Sequence, residues 1–229
     1  MRKTDGPADT RMMAIIHGAL LRDLARARDV LDSDPPPRRA QRRALGKHLV
    51  WMMAFLHAHH SSEDHGLWPL LLQRNPGAAA LVDSLEADHA RIMPAAEAMS
   101  AAAASYAVTT DDSARGALGV AVEELNSVLA PHLAREVAEA MPVVSRSITQ
   151  GDWDAVERKF NLSSKSMTQL AFEGHWLLDG IDPEGRDIVV HLVSPVPRLI
   201  LVHGFAWKYL RHSAACWSPV VPTSAALVR

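Results

Sequence analysis

The sequence predicts an all-α fold: an antiparallel four-helix bundle followed by a C-terminal helical extension. Three observations carry this. Hydrophobic residues make up 48% of the chain but aromatics only 5%, and the abundance of Ala and Leu favours packed helices. Apolar residues recur in steps of three and four, the spacing of one helix face. One such stripe also occurs twice. Leu45, Leu49, Met52, Leu56, His59, Glu63, Leu67 and Leu70 have the same steps as Leu118, Val122, Leu125, Leu129, His132, Glu136, Ala140 and Val143.

The elements follow in order. The first helix carries His17, Leu20, Leu21, Leu24 and Leu31, and Asp34-Pro35-Pro36-Pro37 ends it. The second holds the first repeated stripe and ends at Asn75-Pro76-Gly77. The third presents Leu81, Leu85, His89, Ile92 and Ala96. Thr109-Thr110-Asp111-Asp112-Ser113 separates it from the fourth, with Asp or Ser available as an N-cap. Pro69, Pro94, Pro131 and Pro142 fall inside helical patterns, where each removes a backbone donor and favours a kink. Pro131, directly before His132, either opens the helix beside the site or is a tolerated kink.

Residues 1–150 are thus expected to form the bundle and 151–229 an extension packing on it. In the extension, Asp152 to Lys165 reads as a short amphipathic helix and Met167 to Leu178 as a second, apolar helix. Asp182-Pro183-Glu184-Gly185 reads as a turn. The apolar run Leu199 to Leu210 is too short and interrupted to span a bilayer, so it is expected to bury against the bundle. A lid over the site and a partner surface are the alternatives.

Composition narrows the function. A formal charge of −2 argues against a general nucleic-acid binder. A single cysteine, Cys216, excludes an internal disulfide framework and fits a reducing cytoplasm. No run of 18 apolar residues and no signal-like core after MRKTDGPADT argues for membrane association.

The histidines point to metal. His17 and His59 lie 42 residues apart, and His89 and His132 lie 43 apart. HHSSEDHGLWP from His59 and HLAREVAEAMP from His132 both fit H-x-x-x-E-x-x-x-x-x-P, with Glu63 and Glu136 matching. A lone buried histidine is usually a hydrogen-bonded core residue, and a lone i, i+4 pair usually decorates a wet helix face. Four apolar stripes, each interrupted by imidazole and two also by carboxylate, require a compensating partner, and a metal pair supplies it. His60 competes with His59, because His60 and Asp64 are also spaced i, i+4. The repeat selects His59, and hydrogen bonding around the ligands is the expected role of His60 and Asp64. Glu86, three residues before His89, is a further candidate ligand. His48, His57 and His65 are expected at the surface or around the ligands, and the histidines after residue 151 show no paired spacing for a second metal site.

These residues give the chain a resemblance to the bacterial hemerythrin-like, or HHE cation-binding, family over roughly its first 150 residues. The resemblance rests on His17, HHSSEDHGLWP, His89 and HLAREV. It implies a four-helix bundle holding a non-heme diiron centre, with His17, His59, His89 and His132 as terminal ligands and Glu63 and Glu136 as bridges. Animal hemerythrins carry a further histidine four residues before the third-helix one; Leu85 stands there in this chain, implying more open coordination positions. The resemblance implies two iron ions as cofactor and dioxygen, peroxide or nitric oxide as the small-molecule partner, in oxidative-stress defence or sensing. The alternatives are a diiron enzyme, peroxide-consuming or oxygenating an organic substrate, and a metal-free helical interaction module.

Overall fold

The computed structural model describes residues 4–109, 111–191 and 206–219, and everything regular in them is helical. Four long helices run Arg11–Leu31 (α1), Arg39–Ser62 (α2), Ala79–Val108 (α4) and Asp112–Arg135 (α5). Short α3 (Trp68–Arg74) and α6 (Met141–Ser147) prolong α2 and α5 past an intervening π turn, Glu63–Leu67 in the first case and Glu136–Ala140 in the second. α2 packs on α4, α4 on α5, and α5 on α1. Their apolar stripes meet in a core of Leu20, Leu24, Leu49, Met52, Leu56, Ile92, Met99, Leu125 and Leu129. Between α2 and α4 the backbones nearly touch. A Cβ on Gly46 would lie 2.5 Å from the Ala103 carbonyl oxygen and 2.8 Å from the Ala107 Cβ. Gly46→Ala should therefore force the two helices apart, and an equilibrium denaturation midpoint should fall by the equivalent of about 1–3 kcal/mol. An unchanged midpoint would contradict that tight approach.

The four prolines inside helical patterns act differently by position. Pro94 and Pro131 lie inside continuous α4 and α5, so neither interrupts its helix. Pro69 and Pro142 each follow a π turn that begins at the repeated glutamate. Proline has no N–H for the i−4 carbonyl and its ring crowds that carbonyl, and one wider turn relieves the conflict.

Beyond the bundle, α7 spans Gln150–Val156 and passes into a third π turn, Glu157–Leu162, so the amphipathic stretch from Asp152 is two local geometries. Thr149 with Asp152 and Ser166 with Gln169 form capping boxes that start α7 and α8 (Met167–Leu178). The expected turn at Asp182–Gly185 is instead a helix start. Asp182 Oδ1 accepts the Gly185 N–H at 2.8 Å, and Pro183 opens α9 (Pro183–His191), where a missing donor costs nothing. The last described helix, α10, spans Ala206–Trp217. Trp176 of α8 and Tyr209 of α10 enter the same core as Leu20 and Met52. Leu199 to Phe205 lie outside the described residues. In the rest of that apolar run Tyr209 is buried, but Trp207 and Leu210 are 53% and 63% exposed, so only part of it packs inward.

Candidate metal centre

The helices bring seven ligand-type side chains to one level of the bundle. His17 comes from α1, His59 and His60 from the end of α2, His89 from α4 and His132 from α5, while Glu63 and Glu136 each open a π turn. None is more than 6% exposed, so their charges and dipoles must be matched inside the protein. Their ligand atoms form two groups, each within 4.8 Å: His17, His59, Glu63 and Glu136 in one, His60, His89 and His132 in the other.

Glu63 stands between the groups. Its Oε1 lies 3.1 Å from His59 Nε2 and its Oε2 3.5 Å from His89 Nε2, one oxygen toward each side. Glu136 Oε2 lies 3.3 Å from His17 Nε2 and 3.8 Å from His132 Nε2, again one partner in each group. His60 stacks on His89 with ring centres 4.0 Å apart and planes 10° from parallel. Adjacent positions on one helix thus feed different groups, His59 the first and His60 the second. Leu85 is buried in apolar surroundings, and the fifth imidazole of the cluster comes from α2.

Outer contacts aim the rings. The Leu133 carbonyl accepts from His17 Nδ1 at 3.2 Å, Asp64 Oδ1 lies 2.7 Å from His89 Nδ1, and Asp88 Oδ2 lies 3.5 Å from His132 Nδ1. Each leaves Nε2 facing the interior, the arrangement that fixes tautomer and direction in metal-ligating histidines. Asp88 is itself held by Arg91 and Arg135. Asp64 thus lies against the ring nitrogen of His89 that faces away from the cluster. Asp88 escaped sequence reasoning, because its partners His132 and Arg135 come from another helix and only an i, i+3 spacing to Arg91 hinted at it. Glu86 is exposed and outside both groups, as are His57 and His65. His48 is neither at the surface nor around the ligands: it is buried against Asp23 at 2.7 Å.

Burial drives the electrostatics. It lowers the His17 pKa to about 3, helped by the neighbouring charge of His132, and lowers His132 to about 4, helped by His89. Burial, then His17 and His89 respectively, holds His59 and His60 well below the usual imidazole range. Burial and the facing Glu136 push Glu63 well above the carboxylate range, with Asp64 and Glu157 adding to the rise. Burial and then Asp64 raise Glu136 to about 8. The site therefore favours neutral imidazoles, which are ready to ligate, and protonated carboxyls, which an entering cation would deprotonate.

The donor set fits a pair of cations. Both ring nitrogens of His60 and His132, Nε2 of His89, and both oxygens of Glu63 and of Glu136 are buried without a hydrogen-bond partner. Nine such atoms in one place would be costly; one ion in each group would engage one nitrogen from each of His60, His89 and His132 together with the glutamate oxygens, and His132 Nδ1 faces Asp88 instead. Beside the first group is a cleft of about 10 Å³, near the minimum for one water molecule. Met12, Met13, Ile16, His59, Glu63 and Leu67 form its inner side, and Trp153, Val156 and Glu157 close it from α7 and the third π turn.

Among known families, the profile described as the hemerythrin HHE cation binding domain matches residues 9–144, more than half of the chain. No curated protein and no solved structure matches.

Proposed function

The chain belongs to the hemerythrin HHE cation-binding family, and from that membership we propose a non-heme diiron protein that binds dioxygen, peroxide or nitric oxide, in oxidative-stress defence or sensing. In this reading α1, α2, α4 and α5 form the family's antiparallel bundle. His17 and His59 would hold one ion, His60, His89 and His132 the other, and Glu63 and Glu136 would serve both. The observation that carries the reading is Glu63, which directs one buried, unpartnered oxygen toward each histidine group. Five imidazoles and two carboxylates suit iron, and a carboxylate bridge keeps two ions at the spacing of a two-metal site. When bound, the ion pair would supply two one-electron redox equivalents and open positions for a small ligand.

The chain supplies the rest. Leu133, Asp64 and Asp88 orient three rings, and Met12, Met13, Ile16 and Leu67 keep bulk water from the cleft. A cleft of water size favours diatomic and peroxide ligands over an organic substrate. The nine unpartnered polar atoms speak against a metal-free interaction module.

The test is metal analysis of the purified protein together with optical spectra of its reduced form before and after oxygen. Two irons per chain and an oxygen-dependent spectral change are expected. A fully folded protein that takes up no iron would end this reading, and sustained peroxide turnover would move it to the peroxide-consuming enzyme.

A further inference from the structure

The cleft beside His59 is closed by residues that lie past the family match, which ends at residue 144. Its outer wall is Trp153, Val156 and Glu157, held over the bundle from two sides. The N-terminal strand of chain binds the start of α7, with Gln150 N–H donating to the Gly6 carbonyl and Gly151 N–H to the Thr4 carbonyl, both at 2.8 Å. At the other end the third π turn presses on the first. A Cβ on Gly66 would stand 2.7 Å from the Phe160 ring and 3.2 Å from Val156 Cγ1, so this wall rests directly on the turn that begins with Glu63.

We infer that the segment Gln150–Leu162 builds the entrance to the metal centre, and that Glu157 makes this entrance selective for uncharged molecules of water to diatomic size. The inference rests on the reading of the centre given above. Two carboxyl groups, Glu63 and Glu157, line the cleft, and among the described residues no lysine or arginine does. Asn161 Nδ2 donates to Glu157 Oε1 at 3.1 Å and fixes the side chain. Lys165 pairs with Glu173 at 2.7 Å and, with Asn161, opposes the rise that burial imposes on the Glu157 carboxyl. Glu63 is taken up by the centre, so Glu157 is the carboxylate left at the mouth, and in a narrow apolar throat its field bears on whatever passes, a small anion most strongly. A neutral molecule feels little of it.

Two measurements test this, one without iron. In iron-free protein, diethylpyrocarbonate labelling of His59, read by peptide mass spectrometry, reports access through the cleft, with buried His48 as internal reference. Gly66→Ala, which must displace Phe160 and Val156, and Phe160→Ala, which removes the ring over Gly66, should each speed His59 labelling several-fold while His48 labelling stays constant. In iron-loaded protein, Glu157→Gln should raise the association rate of azide on the order of tenfold and leave that of nitric oxide unchanged. Unaltered His59 labelling in both entrance variants would overturn the assignment of the segment. An unaltered azide rate in Glu157→Gln would overturn the role of its charge. Failure of every variant and of the parent to take up iron would sink the reading of the centre instead, and the His59 labelling would still decide the entrance.

Discussion

Glu63→Ala protein, purified and reloaded with iron, is expected to retain at most one ion per chain, against two in the parent. The side chain is buried, and each of its oxygens faces a different histidine group. Its removal takes a ligand from both ions and leaves two dications a few ångströms apart with one carboxylate fewer between them, a penalty that burial magnifies. Glu136→Ala should behave alike, because His17 and His132 flank its Oε2. The histidines divide the effect. His59→Ala should empty the group shared with His17, and His60→Ala the group shared with His89 and His132. Asp64→Ala, which frees the His89 ring without removing a ligand, should weaken metal binding by about 10–100-fold. Metal content by mass spectrometry, with a circular dichroism check of folding, reads all five. Two irons in both glutamate variants would defeat the bridging role, and full occupancy in His60→Ala would return the second ion to His89 and His132 alone.

Asp23→Asn should destabilise the whole chain by about 3 kcal/mol and more than any single change on the exposed faces. Asp23 is fully buried and takes four contacts: Trp176 Nε1 donates to Oδ2 at 2.7 Å, Arg22 Nε and Arg26 Nη1 donate to Oδ1 at 2.8 and 3.5 Å, and His48 Nε2 lies 2.7 Å from Oδ2. One carboxylate thus ties α1 to α2 and to α8 of the extension. Burial alone would raise its pKa, but the hydrogen bonds from His48 and Arg22 win and hold it at about 2. A depressed folded value means stability that is present above the ordinary 3.8 and lost as pH falls through about 2. The gap between parent and variant should be full at neutral pH and shrink between about pH 4 and pH 2, as followed by denaturant titration at each pH. A gap independent of pH would show that the carboxylate's charge is not what stabilises the contact.

That network was not legible in the sequence. His48 carries no spacing signal, and its partner Asp23 lies on another helix, 25 residues away. Trp176 reaches Asp23 from 153 residues away. Glu157 was equally hidden, since nothing in its neighbours marks a residue that will face Glu63 across a cleft. By contrast Asp111 as the N-cap of α5 was readable, because its side chain accepts the Ser113 N–H two residues on and the whole interaction is local.

The sequence by itself determined the four long helices, the breaks between them and the inward placement of His17, His59, Glu63, His89, His132 and Glu136. Those facts rest on a short-range period of 3.6 residues and on i, i+4 spacing, which hold before any helix meets another. Only the tertiary structure decided that His60 joins His89 and His132 while His59 joins His17. Neighbouring residues on a helix point about 100° apart, so both can face a bundle interior, and the repeat register can rank them but cannot say what each one meets. The choice falls to the packing of α2 between its neighbours and to the π turn at Glu63, whose extra residue per turn re-aims the carboxylate between two groups supplied by other helices.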